Sequence, residues 1–247
     1  MMVLKPGLKF AIGRSALLVF FALLLLSSCR SNNGNAPVRN IGAHGNYHIV
    51  QRGDTLYSIA WRYGKDYKSL AKVNRIAPPY TIYIGQKISI RGRNSASTDI
   101  ASSVKKPPTQ SSPTYTMPAI DESGSLKWDW PLEGEILNGF SLVGKVNKGI
   151  NIAGKVGSGV KAAADGIVVY AGGSLRGYGK LVIIKHNNNF LSAYGNNYSI
   201  RVSEGRKVKV GEELAKVGLS NANVEMLHFE IRKDGKPVNP VDYLPVK

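Results

Sequence analysis

The sequence predicts a multidomain chain: a small α+β module of βααβ order, a disordered linker, and a mostly antiparallel β domain. Three observations carry this. Residues 46–91 pass from period-2 alternation to helical spacing and back. Residues 92–127 are rich in Ser, Thr and Pro and show no hydrophobic period. From Trp128 onward, short β-branched runs are punctuated by Gly, with no long amphipathic helix between them.

The chain opens on an export segment, residues 1–28. Lys5, Lys9 and Arg14 precede Ser15–Leu26, an apolar run of about 12 residues, too short to span a bilayer comfortably as a helix. Leu26-Ser27-Ser28-Cys29 follows, and Cys29 is the only cysteine of the 247-residue chain, so no internal disulfide can form. The stretch resembles the bacterial lipobox, which implies cleavage before Cys29 and lipidation of Cys29. Arg30, by resemblance to Gram-negative lipoproteins, implies release to the outer membrane. Residues 29–45, rich in Asn and Gly, read as a lipidated tether.

In residues 46–91, Tyr47–Val50 alternates like a strand. Asp54 or Thr55 supplies a helix N-cap after the Arg52-Gly53 turn. Leu56, Ile59, Ala60 and Tyr63 fall at helical spacing, and Gly64 ends that helix. A second helix is expected over about Tyr67–Val73, closed by Asn74. Pro78-Pro79 turns the chain, and Ile82, Ile84, Ile88 and Ile90 return it as a strand through Gly85. The Tyr47–Leu56 stretch, Asn74 and Ile84–Ile88 together resemble the LysM module. That resemblance implies binding of N-acetylglucosamine-containing glycan, hence peptidoglycan. The contacts it implies are Gly53, Asp54, Thr55 and Leu56 in the first loop and Asn74, Ile76 and Tyr80 in the second. The plainer reading is that Asp54 and Thr55 only cap a helix and Tyr80 only packs.

Residues 92–127, with Lys105-Lys106-Pro107-Pro108 at their centre, cannot build a core and read as a linker. A flexible chain of that length has a root-mean-square span of roughly 30–40 Å. Beyond it, strands are expected at Glu135–Phe140, Gly166–Ala171, Lys180–Lys185, Phe190–Tyr194, Glu213–Val217 and His228–Arg232. Leu181–Ile184 is a continuous apolar run between lysines, the mark of a strand buried on both faces.

Residues 128–247 resemble the LytM-type (M23) zinc peptidases. Trp130-Pro131, Ala163–Gly166, Arg176–Gly179, Leu227–Ile231 and Pro237–Pro240 carry the likeness in order. That family's H-x-G-x-D, Y-x-H and H-x-H patterns read here as Asn147–Asn151, Tyr194-Gly195-Asn196 and Met226-Leu227-His228. The resemblance puts zinc ligands at Asn147, Asn151 and His228, and catalytic histidines at Asn196 and Met226. Catalytic zinc takes three ligands from His, Asp, Glu or Cys and a water. A neutral amide brings no charge, and a thioether is a soft ligand that cannot shuttle a proton. No catalytic residue, metal or cofactor is therefore expected, and Asn147, Asn151, Asn196, Met226 and His228 become an emptied groove open to partner docking. Glu230 shares the strand face of His228, and the bland reading of His228 is a histidine hydrogen-bonded in the groove floor.

Charge bounds the partners. Lys plus Arg number 33 against 16 Asp plus Glu, a formal +17, and removing Lys5, Lys9 and Arg14 with the export segment leaves +14. Such an excess calls for an anionic partner. Export excludes nucleic acid and leaves wall carboxylates and lipids. Gly172-Gly173 and Gly177-x-Gly179 flank strands and open no helix, so no nucleotide loop is expected. Taken whole, the chain resembles the family of NlpD-like murein hydrolase activator lipoproteins. The resemblance implies an outer-membrane lipoprotein on the periplasmic face that holds peptidoglycan and activates a periplasmic N-acetylmuramoyl-L-alanine amidase. The alternatives are a structural tether between outer membrane and wall, and a zinc endopeptidase.

Overall fold

The computed structural model describes residues 43–91 and 125–246. The export segment, Cys29, most of the tether and residues 92–124 lie outside the described residues.

The N-terminal module runs β1 (Ala43–His44), β2 (Tyr47–Ile49), α1 (Leu56–Arg62), α2 (Tyr67–Asn74) and β3 (Lys87–Ser89), with the strands antiparallel in the order β1-β2-β3. Thr55 is the cap of α1. Its hydroxyl accepts from Ser58 N while Ser58 Oγ accepts from Thr55 N, a reciprocal capping box. Asp54 does different work: its carboxylate accepts from His48 Nε2 at 2.7 Å and Gln51 N at 2.9 Å, pinning β2 to the head of α1. Burial pushes the Asp54 carboxyl up, but those bonds and the Arg62 charge outweigh it and hold it below its ordinary value. The return strand is shorter than the Ile82–Ile90 spacing predicts. Gly85 turns at φ +84 and Tyr83 N donates to Gln86 Oε1, so pairing starts at Lys87 and Ile84 stays 73% exposed.

The C-terminal module adds β4 (Ile136–Asn138), β5 (Ile150–Ala153), β6 (Gly159–Lys161), β7 (Gly166–Gly172), β8 (Lys180–Lys185), β9 (Phe190–Ile200), β10 (Lys207–Val208), β11 (Glu213–Leu219), β12 (Glu225–Lys233) and β13 (Lys236–Val238). The sheet is antiparallel in the order β10-β7-β8-β9-β11-β12-β5-β4, with β12 also on β9, β6 on β11 and β13 on β12. Every strand expected from sequence is present, and β9 continues to Ile200 beyond Tyr194. Strands β5, β6, β10 and β13 were not expected; they are two to four residues long, too short to show a period of their own.

Alternation along the strands sorts two cores. Val168, Val182, Ile184, Leu227, Phe229 and Ile231 face the module's interior. Val169, Leu181, Ile183, Leu191 and Ala193 face the other way and join one buried cluster with Leu56, Ile59 and Trp61 of the N-terminal module. Both modules fall in one compact unit. Burying Val169, Leu181, Ile183 and Leu191 contributes on the order of 6–12 kcal/mol as an upper estimate. At the β12–β13 turn, Gly235 (φ +76) sits so close to Asp66 that a Cβ would strike its backbone nitrogen. The structure packs the two modules against each other through an apolar sheet face.

Candidate functional site: a polar groove wired to the N-terminal module

Strand β12 lies between β5 and β9, with His228 opposite Asn151 on one side and Gly195 on the other. This register creates the groove. His228 Nδ1 donates to Asn151 Oδ1 at 2.7 Å, and Asn151 Nδ2 donates to Asn138 Oδ1 at 3.1 Å. Asn147 points its amide to the carbonyls of Gly139 at 2.9 Å and Asn138 at 3.3 Å, beside the Ser141–Asn147 bridge that closes the 142–146 loop. Asn196 is buried at φ 62, a left-handed conformation that Asn tolerates better than most residues, and its N–H donates to Tyr178 O. Met226 is half-buried and pairs with Ala153 and Gly218 near the start of β12. The structure thus joins Asn151 and His228 directly and brings Asn147 to the same Asn138 segment; Asn196 and Met226 border these residues on neighbouring strand positions.

The side of His228 away from Asn151 meets Glu230, which the strand period placed on the same face, and through it Tyr178 and Arg232, to which the sequence reading gave no role. His228 Nε2 lies 3.1 Å from Glu230 Oε1, which also accepts from Tyr178 Oη at 2.7 Å. Glu230 Oε2 accepts from Arg232 Nε at 3.1 Å and Nη2 at 3.0 Å. Arg232 Nη1 then donates to the carbonyl of Trp61 at 2.9 Å, with the guanidinium carbon 3.5 Å from the Trp61 ring centroid. Glu230 and Arg232 are each 1% exposed. Burial raises the Glu230 carboxyl, but the His228 bond, the Arg232 charge and Tyr178 together hold it below its ordinary value. Tyr178 moves up, through burial and then the adjacent Glu230 charge. The sequence signal was there: His228, Glu230 and Arg232 alternate with Leu227, Phe229 and Ile231, a polar period of two on an otherwise buried strand.

The fold family implies a catalytic zinc, and the donors at hand do not fit one. The two asparagines spend their amides on Asn138, Gly139 and His228, so His228 is the one strong ligand at the implied positions, and its nitrogens face Asn151 and Glu230. Among the described residues, no three His, Cys, Asp or Glu side chains gather as a metal group.

His186 is 1% exposed. Its Nδ1 donates to Asp165 O at 2.7 Å, and its Nε2 lies 2.7 Å from Ser192 Oγ. Burial lowers it to about 4, against the pull of Asp165.

The glycan contacts implied in the N-terminal module divide into two kinds. The Asn74 side chain bridges α2 and β3, donating to Leu70 O and Ser89 O and accepting from Ser89 N. Leu56 is core, and Gly53 turns at φ +80. Asp54, Thr55 and Tyr80 border a cleft. Ile76 is half-buried against the apolar cluster. Cys29 lies outside the described residues.

Comparison with known proteins agrees with this architecture. The LysM domain model matches residues 48–91, and the Peptidase family M23 model matches residues 145–240. A "Lipoprotein NlpD/LppB homolog" of Pseudomonas aeruginosa is 43% identical over 265 residues, spanning 90% of this chain and 88% of that protein. "Uncharacterized lipoprotein YgeR" of Escherichia coli K12 is 36% identical over 90% of this chain and 89% of its own length. "Murein hydrolase activator NlpD" of Escherichia coli K12 is 34% identical over 86% of this chain and 70% of its own length. With identity of this level running through both modules and nearly the full length of the first of these relatives, the chain belongs to the NlpD/LppB lipoprotein family.

Proposed function

We propose that this chain is a non-enzymatic lipoprotein, anchored through Cys29 to the periplasmic face of the outer membrane, that binds peptidoglycan and activates a periplasmic N-acetylmuramoyl-L-alanine amidase for septal wall splitting. The observation that carries the non-enzymatic reading is the Asn151–His228 hydrogen bond of 2.7 Å, which stands where a peptidase needs two charged or imidazole ligands turned to one metal. The activator name of the Escherichia coli relative supports the regulatory role. A LysM match over residues 48–91 supports wall binding.

The docking surface for the amidase is the groove and its border. The 142–146 loop, closed at Ser141–Asn147, holds Leu142, Val143 and Val146 at 53%, 84% and 56% exposure. Exposed apolar side chains beside a polar groove are what a partner segment covers. Activation is then a population shift, with the docked protein binding the open amidase better than the closed one.

The test is dye release from labelled peptidoglycan by purified amidase, with and without the soluble Cys29→Ala chain. Activation is expected from the chain and no hydrolysis from the chain alone. A structural tether would leave the amidase rate unchanged. A peptidase would release dye alone and carry near one zinc per chain.

A further inference from the structure

The loops expected to touch sugar do not face open solvent on every side. A cleft of ≈ 210 Å³ lies between them and the sheet module. Asp54, Thr55, Tyr80 and Thr81 line it from the N-terminal module, and Val169 of β7 and Glu204 line it from the C-terminal one. Small-molecule sites usually measure about 300–1,000 Å³, so this cleft has room for about one ring. The wall is held in place by the shared apolar cluster and by the Arg232–Trp61 contact.

Its chemistry combines aromatic rings, hydroxyls and two carboxylates. Tyr80 is half-buried and sits edge-on to Tyr57 and Tyr67. Asp54 Oδ1 is buried and accepts no hydrogen bond, with Arg62 Nη2 3.5 Å away. Glu204, exposed at its outer edge, takes a long bond of 3.4 Å from Ala171 N. The exposed Glu204 carboxylate near an aromatic surface suits a ring that offers hydroxyl and amide donors, while Asp54, its side chain 1% exposed, adds only its charge. Two carboxylates in one small cleft repel a ligand that carries its own.

We infer that this cleft is a composite site for one neutral N-acetylhexosamine unit of a glycan, and that Glu204 of the sheet module is a specificity residue that accepts from the sugar and disfavours a carboxylate-bearing neighbour. The inference rests on the wall-binding reading of the N-terminal module and adds a second module to the site. It makes sugar selectivity a property of the docked pair.

The soluble full chain with Cys29→Ala is titrated calorimetrically with the N-acetylglucosamine trimer and with a disaccharide containing N-acetylmuramic acid. Glu204→Gln should weaken the trimer roughly 3–10-fold, the range for one hydrogen bond, and narrow the preference for it over the muramic ligand, with the melting temperature unchanged. Tyr80→Ala, whose fold is checked by melting, reports on the loops alone. Trimer binding that weakens in Tyr80→Ala but keeps wild-type affinity and selectivity in Glu204→Gln overturns the composite site and leaves wall binding standing. Absence of saturable binding by the parent chain overturns both.

Discussion

Arg232→Met removes a cation that links the groove to the N-terminal module. In the parent chain Glu230, 1% exposed, receives two bonds from Arg232, whose guanidinium carbon lies 3.5 Å from the Trp61 ring centroid and whose Nη1 donates to the Trp61 carbonyl. Met fills similar volume but strips Glu230 Oε2 of both its donors and leaves a buried charge without its cation, while Oε1 keeps Tyr178 and His228. Breaking a buried pair from one side costs about 3–5 kcal/mol. The lost ring contact adds up to ~2 kcal/mol, only partly additive with the first. For a folded unit of this size each kcal/mol moves the midpoint by about 2–4 °C, so a loss of ~4 kcal/mol lowers it by roughly 8–16 °C. Melting by circular dichroism at neutral pH measures this. Tryptophan emission should shift red in the variant as Trp61, 2% exposed in the parent, gains water. Two further signatures separate the ion pair from packing. The double variant Glu230→Gln with Arg232→Met should recover part of the loss, because no charge is left buried. The deficit should also narrow on acidification. The parent's Glu230 is held below its ordinary value, so its contribution is complete above the carboxylate range and is lost as pH falls through the lowered value. In the variant, burial acts without Arg232 and protonation brings relief. An Arg232→Met chain that melts within about 2 °C of the parent would refute the buried linkage, since surface pairs are worth no more than ~1 kcal/mol.

Other outcomes follow from the same geometry. His186 titrates at about 4 when folded against 6.5 as a free side chain, so the unfolded chain binds more protons between those values. Stability should therefore fall by about 3 kcal/mol as pH drops from 6.5 to 4, read by urea unfolding, and a flat profile would contradict a buried neutral imidazole. Gly149→Ala should abolish soluble expression, because a Cβ there would strike the Phe229 carbonyl and the Glu230 side chain; a folded, soluble variant would mean β5 and β12 are less tightly apposed. Met226→Lys, at a half-buried position, and Asn196→Asp, which keeps a residue tolerant of φ 62, should remain folded and lose amidase activation in dye release; normal activation by both would move docking away from the groove. Cys29→Ala should leave the membrane fraction after a high-salt wash, and retention there would refute anchoring through Cys29.

Much of the fold was legible in local pattern. Leu56, Ile59 and Ala60 fall on one helical face, and Leu181–Ile184 had to be buried on both sides, because such periods follow from backbone geometry alone. The residue types at 147, 151, 196 and 226 were legible as well, since donor chemistry belongs to the residue type. What covers the second face of β8 was not. An apolar side chain records that it needs burial but not by whom, and the partner, Leu56–Trp61, lies more than 100 residues away across a linker without periodicity. The same holds for Arg232 and Trp61. A lone arginine on a strand reads as surface, and only tertiary contact stacks it on an indole and sets Glu230 between it and His228. Register decided the groove: placing β12 between β5 and β9 turns residues 77 positions apart into the hydrogen-bonded pair Asn151–His228. Sequence therefore determines which chemistry this chain can hold, and long-range packing determines which of its residues meet, because strand pairing and face-to-face burial join groups that no local period relates.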